Sequence, residues 1–306
     1  MEENKFEFVS IDAEASEHIS APVYSYWKSV VRTFFKSKFA VFMLIVAIFV
    51  TLFSLIQPVF SGYSAADAPF INDFSRRFLS PSLEHPFGTD NVGNSLFDAV
   101  WAACGTSLKI STLVTAINMV IGIVVGAIWG YSKKVDVIMM EVYNIFANIP
   151  YTLFLIILMY VLGSGTKQMI FAMTCTGWLG IAFFIRVQVM IIRDREYNLA
   201  SRCLGTPTSK VLIHNVLPYL ISVIVTAVAR DVPSFISYEV YLSYQGVGLG
   251  GTAASLGYLI QNFSPYMNSA SYLFWISVFI SALISVSLYV VGQALADASD
   301  PRTHMN

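Results

Sequence analysis

Apolar residues gather into long runs separated by polar connections: Phe39–Gln57, Ile110–Gly130, Val137–Leu162, Met169–Ile192, Tyr219–Leu242 and Tyr272–Gly292. About 20 apolar residues in a helix cross a hydrocarbon layer of about 30 Å, whereas a barrel strand needs only about 10. Every run has the helical length. Backbone groups find no partner in lipid, so each run is predicted to close its hydrogen bonds internally, as a helix. The first run follows a long polar stretch, and its apolar core exceeds the about 7–15 residues of a leader peptide, so it reads as a span. The pattern predicts an all-α polytopic membrane protein with six transmembrane helices.

The flanks divide the chain further. Residues 1–20 carry Glu2, Glu3, Glu7, Asp12, Glu14 and Glu17 with few apolar positions, and read as a mobile acidic tail. Within 21–38, Val23, Trp27, Val30, Val31, Phe34 and Phe35 recur at helical spacing while Lys28, Arg32 and Lys36 take the other face, the pattern of an interfacial amphipathic helix. A first span at 39–57 is then followed by an extracellular loop at 58–103 containing Pro58, Pro69, Pro81 and Pro86, expected to cap the bundle. Residues 104–296 form the core with five spans, and 297–306 a short tail.

Composition supports lipid as the solvent. The 306 residues are 56% hydrophobic and 12% charged, against about 25% charged in soluble domains. A net charge of −1 gives no electrostatic footprint for nucleic acid. Lys and Arg concentrate before the first span (Lys28, Arg32, Lys36, Lys38), at Lys133 and Lys134, and at Arg193, Arg195, Arg202 and Lys210. Positive charge favours the inner side, so both termini are expected in the cytoplasm. Cys104, Cys175 and Cys203 and the four histidines show no metal-ligand spacing. Gly246–Gly251 matches G-x-G-x-x-G, but a span precedes it rather than a strand, so its glycines read as a turn at a helix end. Gly163-Ser-Gly-Thr-Lys167 lacks the spacing of a phosphate loop. No nucleophile, base and acid group together, and the chain is read as non-catalytic.

Two sets of residues stand out. The connection Arg193–Pro218 is about 26 residues long, where a bundle loop is usually about 2–8. Glu196–Leu204 predicts a short helix with small Ala200 and Ser201 on it, and Gly205 ends it. Pro207 starts a second helix to Val216, and Leu217-Pro218 opens the fifth span. Such a bracket suits docking into a groove on a partner, and it suits packing on its own bundle equally well. The second set is charge within spans: Lys109, Arg230, Asp231 and Glu239. Intramembrane charge is costly and marks candidate pathway residues, with a structural ion pair as the other reading of Arg230 and Asp231. Pro150 and Pro233 predict kinks in the third and fifth spans.

The bracket resembles the EAA loop of type I binding-protein-dependent ABC importer permeases, with Glu196, Tyr197, Ala200, Ser201, Gly205, Leu217 and Pro218 at matching positions and Leu199 where the family has an acidic residue. His85-Pro-Phe-Gly-Thr-Asp90 is similar to a segment of the dipeptide and oligopeptide permeases, although Val92-Gly93-Asn94-Ser95 lacks the Arg and Asp that usually follow. Ser237–Gly248 and Asp300-Pro301-Arg302 resemble two further family segments, in family order. The resemblance, to C-type oligopeptide permeases of streptococcal and lactococcal kind, implies one of two homologous permeases forming a pore. It implies two cytoplasmic ATPases that bind ATP and Mg and dock on the bracket, and an extracellular lipoprotein that delivers peptide. No cofactor is expected on this chain. An ion-gradient-driven secondary transporter is the alternative. It would need midplane carboxylates and internal repeats, and of these only Asp231 is in evidence.

Overall fold

The computed structural model describes residues 26–64, 67, 69–250 and 253–299. The acidic stretch 1–20, Val23 and the Asp300-Pro301-Arg302 segment lie outside the described residues. The helices are α1 (Tyr26–Lys36), α2 (Lys38–Ser61), α3 (Leu96–Tyr131), α4 (Lys133–Ala147), α5 (Tyr151–Leu162), α6 (Thr166–Arg193), α7 (Glu196–Cys203), α8 (Thr208–Val211), α9 (Leu217–Tyr244), α10 (Leu256–Phe263) and α11 (Ser271–Ser299). Among the described residues the β pairing is a lone bridge between Thr89 and Ser95. Helices α2, α3, α6 and α11 are each long and apolar enough to cross a membrane, and two bent pairs qualify as well: α4 with α5, and Thr208–Ile221 with Val223–Tyr244. The chain is an all-α polytopic membrane protein. Its exterior is apolar, as on α2, where Phe39, Phe42, Ile45, Phe49, Leu52 and Ile56 are all exposed.

Three sequence expectations are corrected and one helix is added. The third run is not one kinked helix: α4 and α5 meet at 81°. Pro150 disfavours helical backbone at Ile149 and has no N–H to continue the ladder, so the helix restarts at Tyr151. The loop placed at 58–103 is shorter, because α2 runs to Ser61 and α3 begins at Leu96. Ser95 caps α3, its Oγ accepting from Asp98 N–H. The connection after the fifth span holds a helix, α10, whose Leu256, Leu259, Ile260 and Phe263 are buried at helical spacing. Finally, α11 continues to Ser299, past the start of the expected tail at 297.

Two prolines inside spans show how the bundle shields its backbone. Pro58 in α2 and Pro233 in α9 each lack the N–H that would bond the carbonyl four residues back, Ser54 and Ala229 respectively. In both cases a glycine of a neighbouring helix sits against the freed oxygen. A Cβ at Gly105 of α3 would lie 2.5 Å from the Ser54 oxygen, and one at Gly292 of α11 would lie 2.6 Å from the Ala229 oxygen. The glycine hydrogen standing in place of Cβ points at the carbonyl, the arrangement of a Cα–H···O contact.

The most extensive helix pairing is α3 with α6. Gly122, Gly126 and Gly130 fall on one face of α3 at four-residue spacing. A Cβ on Gly126 would come 2.5 Å from the Ala182 oxygen, and one on Gly130 2.6 Å from the Arg186 oxygen. Small residues substitute for hydrophobic drive where lipid is as apolar as leucine. Around the other end of the bundle, the described part of 62–95 folds back on itself. Thr89 N–H bonds Leu79 O (3.0 Å), Leu96 N–H bonds Gly88 O (3.0 Å), and Tyr272 OH of α11 donates to Thr89 O (2.8 Å). The Asp90 carboxyl accepts from Val92 and Asn94 N–H (2.9 and 2.8 Å), and burial nevertheless pushes its pKa above the ordinary carboxylate value. The two glycine-rich stretches pack together: Gly165 N–H bonds Gly248 O (3.2 Å).

Gly126→Val is expected to force α3 away from α6 at a cost of about 1–3 kcal/mol. A drop of several degrees in the melting temperature of the detergent-solubilised protein would show it, and an unchanged midpoint would contradict the close packing.

Candidate functional site

The Arg193–Pro218 connection is a rigid elbow. Its root is Arg193, the last residue of α6, which is 8% exposed. The guanidinium donates to Gly130 O (3.0 Å) and Tyr131 O (3.4 Å) at the end of α3, capping carbonyls that a helix terminus leaves without partners. Its other edge meets Asp194 Oδ2 at 2.9 Å, and this bond holds the Asp194 carboxyl below its usual pKa. Helix α7 then places two faces. Asn198 is buried inward, its amide donating to Ile192 O (2.9 Å) and its oxygen accepting from Asn215 Nδ2 (3.0 Å). Outward stand Glu196, Tyr197, Leu199, Ala200, Leu204, Gly205 and Pro207, all exposed, with Leu204 at 87%. Ser201 is half-buried, its Oγ donating to Tyr197 O (2.9 Å). Gly205 adopts φ 80, a left-handed conformation open to glycine, which ends α7 and reverses the chain.

The return arm differs from the expected helix Pro207–Val216. Helix α8 ends at Val211 and a π turn spans Leu212–Val216 before α9. Pro218 lies just inside α9. Its ring would crowd the His214 carbonyl of a regular α turn, and the wider turn relieves this. The chain therefore passes helically from the elbow into the start of α9, which bends by 56° between Ile221 and Val223. Val211, Val216 and Leu220 pack with Ile185 and Val189 of α6. Of the two readings left open by the pattern, own-bundle packing describes the inner face, while the outer face is unoccupied in this chain. Asn198 and Asn215 escaped the sequence reading; two amides seventeen residues apart carry no local signal that they meet.

The intramembrane charges separate. Arg230 and Asp231 line a cavity of about 620 Å³ between the α4–α5 break, α6 and α9. They contact each other at 3.7 Å, with side-chain exposures of 64% and 15%. Lys109 is absent from that lining and exposed on α3. Glu239, expected beside the pathway, is instead sealed within the chain at 0% exposure. Ser107 Oγ of α3 donates to one carboxyl oxygen (2.6 Å) and Ser243 Oγ to the other (2.8 Å). Ser107 Oγ in turn accepts from Leu256 N–H (3.1 Å), and Ser255 Oγ from Tyr258 N–H (3.2 Å). A buried carboxyl needs such donors, and these fasten α3, α9 and the start of α10 in one knot. A second, half-buried polar contact joins α6 to α4: Asp136 accepts from Arg186 Nη2 (3.0 Å) and from Trp129 Nε1 of α3 (2.7 Å).

The elbow is rooted in the bundle and open on its outer face, and it joins two spans that wall a cavity. Residues 119–305 match the family described as the binding-protein-dependent transport system inner membrane component. The chain belongs to this permease family. Residues 25–81 also match the N-terminal transmembrane domain of oligopeptide transport permease C. The oligopeptide transport system permease protein AmiD of Streptococcus pneumoniae is 53% identical, with 99% of each chain covered. OppC of Bacillus subtilis, an oligopeptide transport system permease protein, is 33% identical over 98% of this chain and 97% of its own. The dipeptide permease protein DppC of the same organism is 32% identical, covering 94% and 89%. Membership in a binding-protein-dependent permease family leaves the ion-gradient alternative without support. The elbow, the cavity charges and Glu239 fall within the permease match, while Ser107, which bonds Glu239, precedes it.

For a permease with this elbow, Asn198→Ala removes one bond to Ile192 O, which keeps Arg195 N–H, and one from the Asn215 amide, which keeps Ser201 Oγ, at a cost of about 0.5–1.5 kcal/mol. Faster hydrogen exchange confined to 193–218 is the expected reading. The depressed Asp194 pKa adds a pH dependence. Its contribution is full above the unfolded value of about 3.9 and is lost as pH falls through the lower folded value. Protection in the elbow, corrected for the intrinsic pH dependence of amide exchange, should therefore be flat from pH 7 to 5 and fall only under stronger acid.

Proposed function

We propose that this chain is one of two homologous permease subunits of an ATP-binding-cassette importer that takes up oligopeptides or dipeptides. An extracellular binding lipoprotein delivers the peptide, two cytoplasmic ATPases bind ATP and Mg and hydrolyse it, and this chain is the non-catalytic path. The N- and C-termini and the elbow lie on the cytoplasmic side, and the Glu239 end faces outward. The observation carrying this reading is the outer face of the elbow, where Tyr197, Leu199 and Leu204 are exposed apolar groups on a backbone braced from within. Apolar groups held rigidly at low entropic cost are what a docking surface needs.

Coupling follows from connectivity. Force applied to α7 reaches α6 through Arg193, and α9 through the Gly205 reversal and the π turn. Both helices wall the cavity that holds Arg230 and Asp231. In the proposed cycle, closure of the ATPases moves the elbow and re-opens this cavity to the other side.

The test is reconstitution of the full complex in proteoliposomes with ATP inside or outside. Leu204→Asp and Gly205→Val are expected to lower ATP-driven peptide uptake at least tenfold, with weaker co-purification of the ATPases. The valine adds strain of about 1–2 kcal/mol in the left-handed conformation. Uptake that survives both changes, or that runs on a proton gradient without ATP, would remove the proposal.

A further inference from the structure

The cavity between the α4–α5 break, α6 and α9 has a composition that a plain water-filled passage does not require. Its wall is built from rings: Tyr143, Phe146, Tyr151, Phe154, Phe235 and Tyr238. Tyr151 and Tyr238 meet edge to face at 5.0 Å, and the Tyr151 hydroxyl is turned away to donate to Met173 O (2.8 Å), so its ring is what the cavity sees. Charge enters at one place. Arg230 reaches Asp231 at 3.7 Å, too long for a charge-assisted hydrogen bond, and its side chain is 64% exposed. The cavity volume of about 620 Å³ falls in the range of about 300–1,000 Å³ typical of pockets that hold small molecules, which are likewise mostly apolar with few polar groups.

We infer that this cavity seats a bulky apolar side chain of the transported peptide, so that the permease itself discriminates among peptides already delivered to it. The inference rests on the peptide-import reading above. The rings receive the side chain, and Arg230 and Asp231 face the peptide's carbonyl or terminal charges. The charges also decide between occupants. An apolar helix of a neighbouring subunit filling the cavity would bury an arginine whose ionic partner among the described residues is a loose one, and burying a charge so weakly paired is strongly unfavourable. A peptide supplies oxygens and amides at that point.

Gly180 of α6 provides the test, since it lines the cavity and a Cβ there would meet nothing within 4 Å. Gly180→Phe therefore fills the cavity without displacing backbone. The full complex in proteoliposomes, with its binding protein saturated by each peptide in turn, is assayed for initial ATP-driven uptake of trialanine and of the same peptide with a central phenylalanine. The expected result is that the phenylalanine-to-alanine rate ratio falls about tenfold in Gly180→Phe. Phe154→Ala, which takes away part of the wall, is expected to shift the same ratio and stands in if Gly180→Phe does not assemble. An unchanged ratio, whether both rates fall together or neither falls, overturns the inference and leaves the importer reading intact. If the unaltered complex takes up neither peptide with ATP, the importer reading fails and this one with it.

Discussion

The structure depends on a single constraint: in lipid, a backbone carbonyl without a hydrogen bond has no water to fall back on. The two prolines inside spans make the constraint visible. Pro58 and Pro233 each free one oxygen, and each time a neighbouring helix presents a glycine to it, Gly105 or Gly292. Helix placement is thus decided where the backbone is weakest. The same economy governs side chains. Apolar contact does not select one helix partner over another when lipid competes equally, so buried polar groups do the selecting. Glu239 draws α3, α9 and α10 together, and Arg186 with Asp136 fixes the start of α4 to α6.

These ties explain why the cavity lies where it does. The knot at Glu239 holds α9 against α3 on one side, and the Arg186–Asp136 pair holds α4 against α6 on the other. Between them the chain breaks at Pro150, and the 81° turn into α5 leaves room that no side chain of this subunit fills. Tyr143 stacks flat on Phe183 at 4.4 Å beside the ion pair, so the rim of the cavity is itself braced. The open space is bounded by the stiffest parts of the fold.

Helix existence was legible because lipid imposes length and apolarity on each span separately. The elbow's apex was legible for the same local reason: Gly205 can be read as a terminator and Pro207 as an initiator without knowing anything distant. What escaped the sequence reading is relational. Glu239 looks like a pathway charge until Ser107, about 130 positions earlier, is found against it. The GxxxG spacing at Gly122, Gly126 and Gly130 was available in the chain, yet its meaning needs α6 as the partner. Helix α10 carried its own i, i+3, i+4, i+7 signal at Leu256, Leu259, Ile260 and Phe263 and was passed over because it is too short to span. The bend at Pro150 was expected as a kink; its size follows from the whole segment Asn148–Pro150 leaving the ladder rather than from the proline ring alone.

The elbow and the cavity are therefore two ends of one mechanical element. A loop joined to its spans by flexible residues would absorb displacement before it reached the membrane. Here the inner face of α7 is locked by Asn198 and Asn215, its root is clamped to α3 by Arg193, and its return arm continues helically into α9. The two arms of the elbow thus run into α6 and α9. These helices present Gly180 on one wall of the cavity, and Arg230 and Asp231 on another. The knot at Glu239 ties the far end of α9 to α3, and the 56° bend between Ile221 and Val223 lies between the elbow and the cavity charges. In the proposed cycle, displacement of the elbow reaches Arg230 and Asp231 through that bend rather than along a straight rod.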